Sequence, residues 1–121
     1  MNFRAFSEMN LRRCVAQDGF NHPLLGWSPA EWTNAMCGEA GEAANFAKKL
    51  IRHRDGIAGN HKPGDLEVNA LRLATAKECV DAMLYADLTI RSLGYISADM
   101  ISIVFNAKSR ELNMPYIFTE L

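Results

Sequence analysis

The sequence has few cysteines and almost no net charge, and each shortage excludes a class of protein. Its three cysteines, Cys14, Cys37 and Cys79, include no CxxC pair, so they predict neither a disulfide framework nor a zinc knuckle. We expect them to be small buried apolar residues of a reducing compartment. The formal net charge of −1 argues against a nucleic-acid-binding protein, which needs clustered surplus lysine and arginine.

Long apolar runs are also missing. No segment approaches the ~20 apolar residues of a membrane-spanning helix. The N-terminal residues MNFRAFSEMNLRRC mix charges throughout and lack the apolar core of a signal peptide. We therefore expect a cytoplasmic protein with no membrane partner. Its length of 121 residues and the lack of internal repeats predict one domain over residues 1–121.

The patterns that are present predict four helices and no convincing strand. Their expected bounds are about 3–15, 29–54, 65–93 and 97–113. The expected buried side of the first helix comprises Phe3, Phe6, Met9 and Val15. Ser28 and Pro29 mark the start of the second helix, Asp65 caps the third, and Gly94 ends it. Such a chain predicts an all-α, four-helix-bundle-like fold.

Two segments outside the helices have their own signals. Residues 55–65, DGIAGNHKPGD, are rich in glycine and predict an exposed loop, which we interpret as a connector rather than a lid. The C-terminal MPYIFTEL is apolar enough to pack on the body of the protein or on a second subunit. A short bundle of this kind has little core of its own, so an oligomer is expected.

Acidic residues interrupt the apolar stripes of the two longest helices. The helical period places on one side of the second helix Trp32, Met36, Glu39, Ala43, Phe46 and Leu50. The corresponding stripe of the third helix comprises Leu71, Ala74, Glu78, Asp81, Tyr85 and Leu88. Glu42 lies one turn from Glu39. Each helix is therefore predicted to carry an acid–x–x–acid pair in its core-facing side.

Four facing carboxylates repel one another and are costly to bury, so they need protons or cations. A single E-x-x-E pair is usually solvated surface charge, but two pairs centred in apolar stripes favour a metal platform. Oxygen ligands favour Mg²⁺, or Mn²⁺, over iron. Di-iron chemistry is also disfavoured because no histidine follows either pair at the Glu-x-x-His spacing. Gly38 and Gly41 would leave room for a metal and its ligand.

Three segments together resemble a known family. WTNAMCGEAGEAANFAKK, KECVDAMLYADL and VFNAKSREL are similar to the MazG-like branch of the all-α nucleoside triphosphate pyrophosphohydrolases, over residues 27–115. The resemblance implies a helical homodimer or homotetramer that hydrolyses a (d)NTP to the monophosphate and pyrophosphate with Mg²⁺. The family's metal-ligand positions fall on Glu39, Glu42, Glu78 and Asp81. Many relatives carry further acids at the places of Gly38 and Ala43, so the number of metal ions stays open.

The resemblance also implies further roles. Asn106 and Lys108 would meet the phosphates, and Tyr85 would contact the base. The chemistry of the reaction, and not the resemblance, suggests that one of the four carboxylates, Glu39 or Glu42 first, takes the proton of the attacking water. Two other candidates for substrate binding have ordinary alternatives. Lys49 near a helix C-terminus compensates the helix dipole, and Trp32 at helical spacing is more often a core residue.

These observations favour an enzyme of nucleotide-pool housekeeping. The second hypothesis is a non-catalytic regulator that binds nucleotide or metal on the same helices. The third is a di-metal redox protein. The preferred base, the sugar and the choice between dimer and tetramer do not follow from the residues.

Overall fold

The computed structural model describes residues 1–56 and 67–119, and within them the chain is helical without strands. Its four α-helices are α1 (Phe3–Val15), α2 (Pro29–Asp55), α3 (Val68–Ser92) and α4 (Ser97–Glu111), with a short 3-10 turn at Leu24–Gly26. The predicted all-α class is confirmed, and the observed bounds lie close to the expected ones. The predicted cap at Asp65 and most of the predicted connector lie outside the described residues.

The chain divides into two compact units. Unit 1 comprises Met1–Trp32 and Asp87–Leu121, and unit 2 comprises Thr33–Ala86. Unit 2 therefore contains the four predicted metal ligands, whereas unit 1 contains α1, α4 and the C-terminal tail. The prediction of one domain over the whole chain stays a prediction.

The helix ends in unit 1 are set by the residues that the sequence indicates. Ser28 and Glu31 form a capping box at the start of α2: the Ser28 hydroxyl accepts from the Glu31 N–H at 3.2 Å, and the Ser28 N–H donates to the Glu31 carboxylate at 3.3 Å. After α3, Gly94 has a φ of +88°, which glycine adopts without strain. The Tyr95 N–H then returns to the Ile90 carbonyl at 3.3 Å.

The buried side of α1 differs from the expected one. Met9 and Val15 are exposed and Phe3 and Phe6 are half-buried, whereas the buried residues are Ser7, Asn10 and Cys14. The prediction is therefore wrong for Met9 and Val15. The physical reason is a polar contact, since both Ser7 and Asn10 donate hydrogen bonds to the buried Asp87 of α3. α1 also packs against α4 and against the 3-10 turn.

In α2 and α3 the predicted stripes are confirmed. Every stripe residue is buried or half-buried, with Leu71 and Ala43 the most enclosed in unit 2. Leu73, Val80 and Met83, which lie off the α3 stripe, are exposed. The same geometry corrects the prediction for two of the cysteines. Cys14 is buried, but Cys37 and Cys79 lie off the stripes and are exposed.

No single helix among residues 1–56 and 67–119 is long and apolar enough to cross a membrane, although α3 and α4 taken together as a bent pair reach the required length and composition. Core helices of soluble proteins can have the same length and composition.

Candidate metal centre

Three carboxylates converge in unit 2. Glu39 comes from α2, and Glu78 and Asp81 come from successive turns of α3, the i, i+3 spacing that places two side chains on one helix face. One carboxylate oxygen from each of the three lies within 4.8 Å of the other two. All three residues are half-buried. The two predicted acid pairs thus contribute three members to one cluster.

Glu78 contains the feature that most directly suggests a ligand. Its Oε2 atom is closed off from solvent and receives no hydrogen bond from the residues that the structure describes. Buried carboxylate oxygens are normally paired with a donor, and an unpaired one carries an uncompensated desolvation cost. The neighbouring carboxylates of Glu39, Asp81 and Glu42 are acceptors when ionised, so either a protonated carboxyl or a cation has to take the place of the missing donor. The residues present fit a hard cation that prefers oxygen ligands.

The electrostatics of the cluster point the same way. A hydrogen bond shared with Glu78 is the largest cause that raises the pKa of Glu42, and the charge of Glu78 adds to it. A hydrogen bond shared with Glu39 is the largest cause that raises the pKa of Glu78, followed by desolvation. Without a cation, Glu42 and Glu78 therefore retain protons more readily than isolated glutamates do. This is the behaviour expected of acids gathered for a positive ligand.

Glu42 has a different position from the other three. It is exposed, and the set of three converging oxygens found among the described residues does not include it. It still interacts with all three: the hydrogen bond and charge of Glu78 are the largest causes that raise its pKa, a hydrogen bond with Glu39 lowers it, and the charge of Asp81 raises it. Glu42 therefore borders the cluster at its exposed side and stays in contact with it.

Open space adjoins the acids on α2. Gly38 and Gly41 are exposed, and a methyl group built at either would meet no atom within 4 Å. The space beside them is that of an open helix surface, and their role in making room for a metal stays a prediction. Two predicted substrate contacts also belong to unit 2. Tyr85 is half-buried one turn beyond Asp81, and the half-buried Lys49 places its ammonium 6.0 Å from the ring centre of Phe46.

The other predicted substrate residues lie in unit 1 and have other contacts there. Trp32 is 2 % exposed, and its indole N–H donates to the Leu24 carbonyl at 2.8 Å. Its ring lies against those of Trp27 and His22, with centroids 4.7 and 5.1 Å away. These contacts agree with the core alternative for Trp32, whose role in binding a substrate stays a prediction.

Asn106 and Lys108 of α4 contact their own unit. The buried Asn106 amide donates to the Phe118 carbonyl at 2.9 Å and accepts from the Phe118 N–H at 2.8 Å. Lys108 is exposed and pairs with Glu111 at 3.3 Å. Their predicted role at the phosphates stays a prediction. Asn106 would have to release the tail to bind a ligand through the same atoms.

Sequence reasoning missed a buried polar network in unit 1. Asp87 accepts from the Ser7 hydroxyl at 2.6 Å and from the Asn10 amide at 2.9 Å. Arg91 donates to the Ser7 hydroxyl at 3.0 Å and pairs with Glu8 at 2.7 Å. A signal was present, because Ser7, Asn10 and Cys14 follow one another at helical spacing. Small polar side chains on one helix face can indicate a buried polar partner.

In comparisons with known proteins, no family model matches the chain, and no curated relative and no solved structure is significantly similar to it. The resemblance to MazG-like enzymes is therefore a prediction that rests on the motifs alone. The cluster of Glu39, Glu78 and Asp81 is the geometric finding on which a functional proposal can be based.

Proposed function

We propose that this protein is a Mg²⁺-dependent, MazG-like nucleoside triphosphate pyrophosphohydrolase that cleaves a (d)NTP to the monophosphate and pyrophosphate. The observation that carries the proposal is the enclosed Glu78 Oε2, which receives no hydrogen bond from the described residues and lies in a cluster with oxygens of Glu39 and Asp81. Mn²⁺ is the alternative metal. The proposal includes a cytoplasmic homodimer or homotetramer that maintains the nucleotide pool.

Each acid has a proposed role. Glu39, Glu78 and Asp81 hold the cation, because their oxygens converge. A bound Mg²⁺ would neutralise phosphate charge and lower the pKa of a coordinated water. Glu42 is not one of the three converging ligands and lies at the exposed side of the cluster, where a carboxylate can accept a proton from a coordinated water. We therefore assign Glu42 as the general base that takes the proton of the attacking water.

Substrate contacts are proposed from the resemblance and the local geometry. Tyr85 contacts the base, because it follows Asp81 by one turn on the same stripe of α3. Lys49, Asn106 and Lys108 are the proposed phosphate contacts. For Asn106 this role requires a rearrangement of the tail, since both polar atoms of its amide are bonded to Phe118.

The proposal is tested by incubating the protein with each of the eight common NTPs and dNTPs in Mg²⁺ and separating pyrophosphate from orthophosphate. We expect pyrophosphate release from at least one nucleotide and a loss of about 100-fold or more in Glu78→Gln and Asp81→Asn, since each removes a charge that holds the cation. Glu67→Gln is the matched control, because it removes the same charge from an exposed residue that precedes α3.

Three results would contradict the proposal. Turnover equal in Glu78→Gln and in the Glu67→Gln control would remove the acid cluster from the reaction. Mg²⁺-dependent nucleotide binding without turnover would favour the regulator instead. Binding of iron with a visible chromophore would favour the redox protein.

A further inference from the structure

Helix α4 has its polarity inverted. Its buried residues are Ser97, Ser102, Asn106 and Ser109. Its exposed large apolar residues are Ile101, Ile103, Val104 and Phe105. A helix that packs only within its own subunit turns its apolar stripe inward and its polar residues to water. α4 therefore meets unit 1 with small polar side chains and presents apolar side chains to the outside.

An open groove follows the exposed side of α4. It has a volume of about 530 Å³ and lies between the end of α3 and α4. Its lining includes Ile90, Leu93, Met100, Ile101, Val104 and Phe105. Tyr95 also lines the groove and contributes a hydroxyl group. None of the lining side chains carries a charged or amide group, so the groove offers little hydrogen bonding to a polar ligand. Its chemistry fits an apolar surface as its occupant.

The C-terminal tail extends this surface. Residues 112–119, LNMPYIFT, contain no charged side chain. The tail is fixed to α4 because the Asn106 side chain bonds both backbone groups of Phe118, and the Phe118 and Phe105 rings lie 4.9 Å apart. Fixed in this way, the tail still exposes large side chains, namely Leu112, Met114, Tyr116 and Phe118. We call the groove and the tail together the apolar face.

We propose that the apolar face is the surface on which a second copy of this chain docks. At least eight of its large side chains are between one third and two thirds exposed. At roughly 100 Å² each, they present about the 800 Å² that each partner contributes to a standard interface. A monomer seldom leaves a contiguous apolar surface of this size to water.

A second copy fits the face better than a charged partner does. Two identical faces that meet about a two-fold axis bring apolar residues against apolar residues, and no like charges are opposed across them. Two charged residues of the last turn of α4, Lys108 and Glu111, pair with each other. The inference rests only on the self-association part of the proposed function. It gives that assembly a surface and is independent of the reaction.

The test compares two adjacent residues of α4 with nearly equal exposure. Val104 is 62 % exposed and lines the groove, whereas Ile103 is 59 % exposed and belongs to another side of the helix. Molar mass is measured by sedimentation equilibrium from roughly 1 to 100 µM, a range that covers micromolar dissociation constants. We expect the parent at twice its 13.5 kDa or a higher multiple. Val104→Glu should weaken association at least about 100-fold, and Ile103→Glu should leave it unchanged.

Circular dichroism verifies that Val104→Glu remains helical, and Val104→Ser repeats the test without a charge. A monomeric parent over the whole range would overturn the inference. A folded Val104→Glu variant that keeps the parental molar mass would also overturn it. The same holds if Val104→Glu and Ile103→Glu weaken the association equally. A monomeric parent that sediments with neutral phosphatidylcholine vesicles, and loses this through Val104→Glu, would assign the face to lipid instead. The proposed reaction is scored separately by pyrophosphate release, so either proposal can fail alone.

Discussion

Two carboxylates on helix α3 show how differently this chain treats a buried acid. Asp87 in unit 1 is 2 % exposed and accepts hydrogen bonds from Ser7 and Asn10. Glu78 in unit 2 has an enclosed Oε2 that receives no hydrogen bond from the described residues and shares its surroundings with other acids. The first carboxylate is satisfied by the protein itself, whereas the second is not.

The difference separates a structural acid from one arranged for a ligand. A carboxylate with two donors connects α1 to α3 through buried hydrogen bonds. A carboxylate among acids destabilises the ligand-free protein and gains only when a cation or proton arrives. Judged by burial alone, Asp87 and Glu78 would both be described simply as enclosed acids. Their partners assign Asp87 to the stability of unit 1 and Glu78 to the proposed centre.

The largest expected effect on stability is that of Asp87→Ala. The substitution removes the acceptor of two buried hydrogen bonds, which Ser7 and Asn10 donate. At about 1–3 kcal/mol for each buried hydrogen bond that is lost, we expect a loss of about 2–6 kcal/mol in the free energy of unfolding. Urea denaturation measures it, with Glu67→Ala as a neutral control. A cost equal to that of the control would show that the network contributes nothing to the fold.

Mg²⁺ should have the next largest effect, and it should act through Glu78 rather than Asp87. A cation that binds only the folded protein stabilises it by about 2.7 kcal/mol when present at 100 times its dissociation constant. We expect this stabilisation in the parent and in Asp87→Asn, and its loss in Glu78→Gln. Thermal unfolding with Mg²⁺ or EDTA tests it. Equal stabilisation of Glu78→Gln would place the ion elsewhere.

In the metal-free protein, the cluster should make the free energy of unfolding fall as the pH rises, whereas a salt-bridged acid would make it rise. The folded protein raises the pKa of both Glu42 and Glu78 above the ordinary value near 4.5, so it binds protons more tightly than the unfolded chain does. Stability should therefore fall as the pH rises from that ordinary value through the raised values, and then level off. Glu78→Gln should flatten the fall. Melting temperatures in EDTA from about pH 4 to 8 measure it, and a rise over this interval would contradict the assignment.

The periodic parts of the structure could be predicted from the sequence. The helices and the stripes of α2 and α3 follow from apolar spacing, and Ser28 and Gly94 act through their own local chemistry. The two acid pairs were predictable because acids are unusual inside such stripes. The more exposed position of Glu42 depends on how α2 packs against α3. Residue spacing within one helix does not predict that packing.

The inward side of α1 could not be predicted from hydrophobicity. Ser7 and Asn10 point inward because Asp87, distant in sequence, offers an acceptor to both, and Met9 is displaced to the surface. A polar contact also accompanies the inward position of Asn106 in α4, whose side chain bonds the tail, while Val104 and Phe105 are exposed. Polar pairings between distant residues override the local pattern in α1.

The smallest expected effect lies at the outer end of the Asp87 network. Arg91 donates to the Ser7 hydroxyl and pairs with the Glu8 carboxylate. The Arg91 side chain is 12 % exposed and the Glu8 side chain 57 % exposed. Because water solvates the Glu8 carboxylate in either state, Glu8→Gln should cost no more than about 0.5 kcal/mol, and 0.5 M NaCl should reduce even this. Urea denaturation beside Asp87→Ala measures the ratio of the two costs. If Glu8→Gln costs as much as Asp87→Ala, then the exposed ion pair of Arg91 and Glu8 stabilises the network. The hydrogen bonds of Asp87 would then not explain why this acid is structural, and the contrast with Glu78 would lose its basis.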